Sequence, residues 1–430
     1  MEQTMSLPAT WSRGSLIAFR FFFAYFIFYI FPFPLDFLPK ISLLFQPLSD
    51  LSAAICGYIA KNFMGIEHEI YGQPNGSGDT TMNYVQLLLF TGYSIIITIA
   101  WSITDRRRKN YEKLLSWLII LLRYYLAAVM ISYGLAKIFK TQFSFPTSDR
   151  LHQSFGDASP MGLLWTFMGY STPYNIFAGL GEFVGGFLLF FRRTRLMGAL
   201  IIIAVMSHVA MLNFAYDVPV KLFSLHLLSM AIFIIAPDTK RLLNIFLLNK
   251  PTLPETSRPI YFDSKTKWYY MIGKGLLVVI ILTTNTMGQL ETRKEITEYL
   301  NTANRFDPLL GEFDVESFEL NGDIVPPGKM DTRRWKKVII NQKNIDVQST
   351  DSGSLPWHFH GNNYTHKIIL LSPDLSTMGN FRFQGDSTRL TIEGILNKDS
   401  LRIKLKRKSE NQFLLVSRGF HWVNESPFNR

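Results

Sequence analysis

Long apolar blocks separated by short polar connections fill the first two thirds of the chain. Seven blocks stand out: 15–34, 82–104, 114–138, 174–191, 196–215, 219–236 and 268–287. A helix of roughly 20 apolar residues crosses the hydrocarbon core of a bilayer, so the pattern predicts an α-helical membrane bundle of about seven transmembrane helices. The segment 41–60 is amphipathic and contains Asp50, which predicts an interfacial or re-entrant helix.

Residues 311–430 follow a different pattern. Apolar and polar residues alternate in segments such as FDVESFELNG, RLTIEGIL and LRIKLKRK, and turn sequences such as NGD and NKDS separate them. Alternation with period two between tight turns predicts many short strands. The sequence therefore predicts an all-β domain, closed as a lipocalin-like barrel or folded as a sandwich.

These patterns divide the chain into consecutive regions. Residues 1–113 form a two-span region with the interfacial helix, residues 114–236 a four-helix membrane core, and residues 237–287 a basic connection with the seventh span. A charged helical linker, 288–310, leads to the β domain.

The distribution of charge predicts how the bundle lies in the membrane. The chain has 44 Lys and Arg against 33 Asp and Glu, and basic residues collect in DRRRKNYEK (105–113), RRTR (192–195) and the connection 238–267. Because short basic loops stay in the cytoplasm, we expect a cytoplasmic amino terminus and a periplasmic β domain, with the bundle in a bacterial inner membrane. The basic residues do not predict nucleic-acid binding, which would need a patch on a soluble face.

A single acidic residue interrupts the apolar stretch GLGEFVGGFLLFFRRTR (179–195). Glu182 in hydrocarbon costs roughly 2.5–3.5 kcal/mol even on insertion scales, so it calls for a partner. The third predicted span offers two, Arg123 and Lys137, on one helix face shared with Ala127, Met130 and Gly134.

Depth along the predicted spans selects between these two partners. Arg123 and Glu182 each lie nine residues from the cytoplasmic end of their span, or roughly 13 Å deep at 1.5 Å per residue. The sequence therefore predicts an Arg123–Glu182 pair, flanked by Lys137, as a candidate catalytic site, with Tyr124 as a candidate cofactor contact. The alternative is a pair that only holds helices together.

Two histidines lie near the outer ends of successive spans. His208 and His226 are each roughly 10 Å below the outer surface, so adjacent antiparallel helices would bring them side by side. Such a pair can ligate a metal, exchange protons, contact a quinone or only form hydrogen bonds. No metal site is predicted, because the pair lacks a third or fourth ligand and Cys56 is the single cysteine.

Three segments of the membrane core resemble the DoxX-like membrane family. They are RYYLAAVMISYGLAKIF (123–139), Pro160 followed by MGLLWTFMGY, and the stretch that contains Glu182. The family pattern matches Arg123, Gly134 with Lys137, and Glu182 with the glycines that follow it. The resemblance covers residues 114–236 and implies four-helix integral membrane proteins, some of them linked to thiosulfate:quinone oxidoreductase or other membrane redox assemblies.

The leading hypothesis is a DoxX-like subunit of quinone- or thiol-linked redox metabolism, with a membrane redox or envelope protein as partner. A single cysteine argues against dithiol chemistry within one chain, which leaves quinone-linked chemistry open, although no sequence motif identifies a cofactor. The second hypothesis is a non-enzymatic scaffold or small-solute carrier that presents the β domain. A third is a lipid-modifying enzyme whose barrel holds an acyl chain, so whether the protein is an enzyme stays open at this level.

Overall fold

A computed structural model describes most of the chain. The described residues are 10–35, 41–67, 76–147, 155–252, 264–306, 311–327, 334–340, 344–349, 355–362, 366–371, 377–386 and 388–418, with the single positions 70, 150, 151, 153, 309 and 421. The chain divides into two compact units, Met1–Phe143 with Ser171–Thr292, and Ser144–Tyr170 with Arg293–Arg430. The first is helical, and the second contains the sheet.

The helices follow the apolar blocks of the sequence. They are α1 (Arg13–Ile30), α2 (Ile41–Met64), α3 (Thr81–Thr104), α4 (Glu112–Ile138), α5 (Pro160–Tyr170), α6 (Thr172–Leu189), α7 (Arg195–Ala215), α8 (Lys221–Ile235), α9 (Thr239–Phe246) and α10 (Ser264–Phe306). The seventh predicted span and the helical linker are thus one continuous helix, α10.

Seven helices of the described residues are long and apolar enough to cross a membrane: Arg13–Ile30, Leu43–Met64, Thr81–Thr104, Glu112–Ile138, Arg195–Ala215, Lys221–Phe246 and Trp268–Glu298. The protein therefore has the architecture of a multi-pass helical membrane protein. Six of the seven coincide with predicted spans. The set differs from the prediction at two helices, since α2 belongs to it and α6 does not.

Helices α1 and α3 run antiparallel. Near the start of α1, Arg20 donates to Ser102 Oγ (2.9 Å) and to the Asp105 carbonyl (3.0 Å) at the end of α3. Near the end of α1, the ring of Phe28 lies 6.0 Å from that of Phe90, in the first half of α3. We call the end of the bundle that carries residues 105–113 and 192–195 the basic end, and the other the opposite end.

Helix α2 starts and finishes on one side of the bundle. The end of α1 and the start of α3 both lie at the opposite end, and α2 connects them. The ring of Phe31, just after α1, lies 4.8 Å from that of Phe45 in the first part of α2. In the second part, Cys56 and Ala60 pack against Val85 and Leu89 of α3, so both parts of α2 contact the opposite end of the bundle.

The centre of the bundle is the contact between α4 and α6. A Cβ atom on Gly134 would lie 2.7 Å from the Gly179 carbonyl oxygen and from the Phe183 nitrogen. A Cβ atom on Gly186 would lie 3.0 Å from the Cβ of Met130. Small residues allow two backbones to approach this closely, and these contacts determine the register of the two helices.

The second unit contains an antiparallel sheet that curls on itself. Its strands are β1 (Gly311–Leu320), β2 (Asp323–Ile324), β3 (Trp335–Ile340), β4 (Asn344–Ser349), β5 (Leu355–Asn362), β6 (Lys367–Leu371), β7 (Thr377–Gly385), β8 (Arg389–Leu396) and β9 (Asp399–Arg407). From β3 onwards each strand pairs with the next, and β1 pairs with both β3 and β9. This meander agrees with the predicted all-β domain, and the β1–β9 pairing makes it one curled sheet rather than a sandwich.

The inner face of this sheet is apolar, as the period-two alternation predicts. Phe313, Phe318, Ile403 and Leu405 are among its fully buried side chains. Glu312, the second residue of β1, is a buried carboxylate. It is 4% exposed and bonds to Lys337 (2.7 Å) and to Lys408 (2.9 Å).

Candidate functional site

The buried carboxylate of Glu182 is bound by Lys137. The Lys137 Nζ atom lies 2.9 Å from Oε1 and 2.8 Å from Oε2, and the two side chains are 8% and 3% exposed. Both carboxylate oxygens thus accept a charge-assisted hydrogen bond, which offsets part of the cost of burying the pair. The predicted Arg123–Glu182 pair is therefore wrong, because Glu182 pairs with Lys137, which was expected only to flank it.

Arg123 instead bonds the end of α6. Its Nε and Nη2 atoms donate to the Leu189 carbonyl at 2.9 and 2.6 Å. Leu189 is the last residue of α6, where carbonyl oxygens lack a donor within the helix. The cation also interacts favourably with the negative end of the helix dipole.

The error in pairing has a clear physical cause. The prediction counted residues from the cytoplasmic end of each span, and so assumed that α4 and α6 start and finish at the same height in the membrane. Their glycine contacts shift them, so that Gly134 faces Gly179 and Arg123 faces Leu189. Lys137, one turn beyond Gly134, therefore reaches Glu182.

His226 forms a polar contact with α1. Its Nδ1 atom lies 2.6 Å from the Leu222 carbonyl oxygen and its Nε2 atom 2.6 Å from the Tyr25 hydroxyl. A carbonyl oxygen only accepts, so Nδ1 carries the proton and Nε2 of the neutral ring accepts from Tyr25. The ring of Tyr29 stacks on the imidazole with centroids 4.0 Å apart.

The predicted pair of histidines does not form. His208 is exposed on α7, whereas His226 is half-buried and faces Tyr25 and Tyr29 of α1. Equal depth determines height along a helix but not the direction around it, and these two side chains leave their helices on different faces. Among the described residues, no group of three or more His, Cys, Asp or Glu side chains is arranged to hold a metal ion.

A cavity of about 540 Å³ lies beside His226. Its wall is largely aromatic, formed by Tyr25, Phe28, Tyr29, Phe31, Phe90, Tyr125, Tyr133 and Phe223. The polar groups of the wall come from His226, from Asn83 and Gln86 of α3, and from the turn 76–78. A concave site that combines aromatic side chains with placed polar groups is a usual form of a small-molecule site.

Tyr133 connects the cavity to the buried ion pair. Its ring lines the cavity, and the Lys137 Nζ atom lies 5.8 Å from the ring centroid. Lys137 and Glu182 are not part of the wall, and neither are Arg123, Tyr124 and His208. Of the predicted site residues, the structure therefore brings only His226 to the cavity.

A short turn before α3 closes one side of the cavity. Asp79 accepts from the backbone N–H groups of Lys221 (2.8 Å) and Leu222 (2.9 Å) at the start of α8. Gly78 also donates to the Pro219 carbonyl at 2.7 Å. The turn is thus held to the same helix end whose Leu222 orients His226.

Tyr124, the predicted cofactor contact, does not line this cavity. It is 5% exposed, its ring lies 5.5 Å from that of Phe190, and its hydroxyl has no hydrogen-bond partner within the described part of the chain.

Sequence reasoning missed Tyr25 and Tyr29, which complete the site. They lie four residues apart in the run FFFAYFIFYI, so they share one face of α1. Two hydroxyls at helical spacing in an otherwise apolar span were the available signal.

Sequence reasoning also missed Arg195 and Asp238. They form a buried ion pair at 2.7 Å that joins the start of α7 to the residues just after α8.

Comparisons with known proteins add one relative. No family model matches the chain, and no solved structure matches it. Among curated proteins, the uncharacterized protein YwoB of Bacillus subtilis (strain 168) is 32% identical over 124 residues, which is 29% of this chain and 79% of the relative. By this similarity, the chain belongs to the same protein family as YwoB.

Proposed function

We propose that this protein binds a quinone or quinol headgroup in the aromatic cavity beside His226. In this proposal it is a DoxX-like integral membrane subunit of quinone-linked redox metabolism in a bacterial inner membrane. The observation that carries the proposal is the Tyr25–His226 hydrogen bond at the wall of a cavity lined by aromatic rings. A flat ring stacks on aromatic side chains, and the cavity offers several.

The protonation of the two side chains suits a quinol ligand. Tyr25 donates its own proton to His226 Nε2, so the Tyr25 oxygen presents lone pairs for a quinol hydroxyl. When a quinol proton moves to Tyr25, the Tyr25 proton moves to His226, which becomes imidazolium. The proposal assigns ligand binding and proton acceptance to this chain, and assigns the electrons to a redox protein partner in the membrane.

The ion pair has a positioning role in this proposal. Lys137 and Glu182 neutralise each other and hold α4 against α6, which keeps the neighbouring Tyr133 ring in the cavity wall. The DoxX resemblance is compatible with this role, because four of its characteristic residues, Gly134, Lys137, Glu182 and Gly186, lie at the α4–α6 contact.

The orientation of the bundle is part of the proposal. With the basic end in the cytoplasm, α1 starts inside, and the cavity, which the turn 76–78 borders, lies towards the periplasm. α10 then runs outwards, since its Gln289 bonds Thr141 just beyond the end of α4. The β domain, proposed as a lipocalin-like barrel, is then periplasmic.

The experiment is mass spectrometry of small molecules that copurify with the detergent-extracted protein. We expect a stoichiometric quinone with the wild type and with His208→Gln, and its loss with His226→Gln. The two variants make the same substitution in neighbouring helices, one at the exposed histidine and one at the cavity. Absence of quinone from the wild type, together with no binding of added quinone, would contradict the proposal.

A second candidate is a non-enzymatic scaffold that presents the β domain to an envelope protein. It is favoured by these buried charged side chains, which already have partners within the protein. Lys137 pairs with Glu182, Arg195 pairs with Asp238, and Arg20 bonds the Tyr111 hydroxyl. Cross-linking in cells tests it: a scaffold retains the same partner in His226→Gln, and a quinone-dependent subunit loses it or loses activity.

A further inference from the structure

A second cavity in the bundle shares one wall residue with the aromatic cavity beside His226. Its volume is about 430 Å³, and its lining is Phe33, Tyr125, Ala128, Val129, Ser132, Thr284 and Asn285. Four of these residues, Tyr125, Ala128, Val129 and Ser132, are spaced i, i+3, i+4 and i+7 on α4 and so share one helix face. The cavity is therefore a groove along α4, bordered by α10 and by the residues after α1.

Tyr125 lines both cavities. On the second side its ring meets Phe33, with centroids 5.4 Å apart and planes at 85°. The aromatic chamber and the groove are therefore neighbours that share one aromatic wall residue.

Two of the polar side chains that line the groove bond the backbone of their own helix. Thr284 Oγ1 donates to the Ile280 carbonyl at 2.7 Å, and Asn285 Nδ2 donates to the Ile281 carbonyl at 2.8 Å. These donors are used within α10 itself, and Phe33, Ala128 and Val129 supply apolar surface. The aromatic chamber, by contrast, carries His226, Asn83 and Gln86.

We infer that the groove holds the hydrocarbon tail of the same ligand whose ring occupies the aromatic chamber, so the ligand is a lipid-tailed quinone. This inference rests on the proposed function and adds the tail site to it. The tail lies between α4 and α10 and passes Tyr125, while the ring remains beside His226. A ligand with this division matches a chamber that carries polar groups and a neighbouring groove to which Phe33, Ala128 and Val129 give apolar surface.

The test compares two quinone probes on three proteins in one detergent. The probes are a dimethoxy-methyl-benzoquinone without a tail and the same ring with a decyl tail. The proteins are the wild type, Thr284→Phe, which fills the groove, and Thr283→Phe. Thr283 is the matched control because it is exposed on α10, bonds the backbone of its own helix in the same way, and does not line the groove.

We expect Thr284→Phe to weaken binding of the tailed probe about tenfold, or about 1.4 kcal/mol, and to change affinity for the tailless probe less than about twofold. Thr283→Phe should match the wild type with both probes. Equal affinities of the tailed probe for Thr284→Phe and the wild type would overturn the inference but leave the proposed function standing. Failure of both probes to bind the wild type would instead contradict the proposed function.

Discussion

Two polar contacts in the helical bundle have opposite surroundings. Lys137 and Glu182 lie where α4 and α6 are so close that a single added Cβ atom would meet backbone at 2.7 Å. Tyr25 and His226 lie beside a cavity of about 540 Å³. The charged pair is the more conspicuous in the sequence, yet it has no space for a ligand, whereas the neutral pair does. Buried charge therefore marks the packing centre of this protein, and the candidate site is adjacent to it.

The largest expected effect comes from breaking the charged pair on one side. Lys137→Met leaves Glu182 buried without its cation and should destabilise the protein by about 3–5 kcal/mol. The double variant Lys137→Met/Glu182→Met should recover most of the loss, because no buried charge is left unpaired. Thermal unfolding in detergent measures both, and a double variant as unstable as the single one would contradict the assignment of the pair.

The second effect tests the close packing around that pair. Gly134→Ala should destabilise the protein by about 1–3 kcal/mol, the usual cost of overpacking, because the new Cβ meets the backbone of α6. Gly92→Ala in α3 is the control, since nothing lies within 4 Å of its Cβ position. Equal unfolding temperatures for the two variants would mean that α4 and α6 are not in this register.

The third effect belongs to the other contact. Tyr25→Phe removes the hydroxyl that bonds His226 and keeps the ring, so stability should change by only ~1 kcal/mol. Quinone affinity, in contrast, should fall roughly five- to tenfold. Tyr58→Phe on α2, where the side chain is 63% exposed, is the control for binding. If Tyr25→Phe bound quinone as the wild type does, the hydroxyl would have no part in the site.

The smallest effect concerns a carboxylate outside the bundle. Glu312 also bonds lysines, and although burial opposes its ionisation, the hydrogen bonds from Lys337 and Lys408 lower its pKa below the ordinary 4.5. A carboxylate whose pKa is lower in the folded state stabilises the fold at pH values above its unfolded-state pKa. This stabilisation is lost as the pH falls through the folded-state pKa.

Stability of the β domain should therefore decline as the pH falls below 4.5, and Glu312→Gln should reduce that slope. Hydrogen exchange of β1 and β9 amides in the full chain measures it. Glu316→Gln, a substitution of an exposed carboxylate on the same strand, should leave the slope unchanged. An unchanged slope in Glu312→Gln would show that other groups control acid unfolding.

Much of the architecture was predictable because it depends on local patterns. Six of the seven candidate membrane helices and the meander of strands follow from the lengths of apolar blocks and from period-two alternation. For 41–60 the sequence predicts an interfacial or re-entrant helix, whereas by length and apolarity α2 could also cross a membrane.

The candidate site was only partly predictable. His226 was expected to take part, but its expected partner, His208, is exposed on another helix, and Tyr25 was not considered. Depth counting gives the height of a residue along its helix, while contact also requires the rotation of each helix and the neighbour that it meets. Those two quantities depend on the packing of the whole bundle.

The sequence by itself determined that this chain forms a helical membrane bundle and an antiparallel sheet, because hydrophobic period and block length depend only on nearby residues. It also determined that Glu182 needs a basic partner. Only the tertiary structure decided that the partner is Lys137 and that Tyr25 meets His226 beside a cavity. The reason is that close glycine contacts set the offset of α4 and α6, and offsets and helix rotations arise from contacts between residues far apart in the chain.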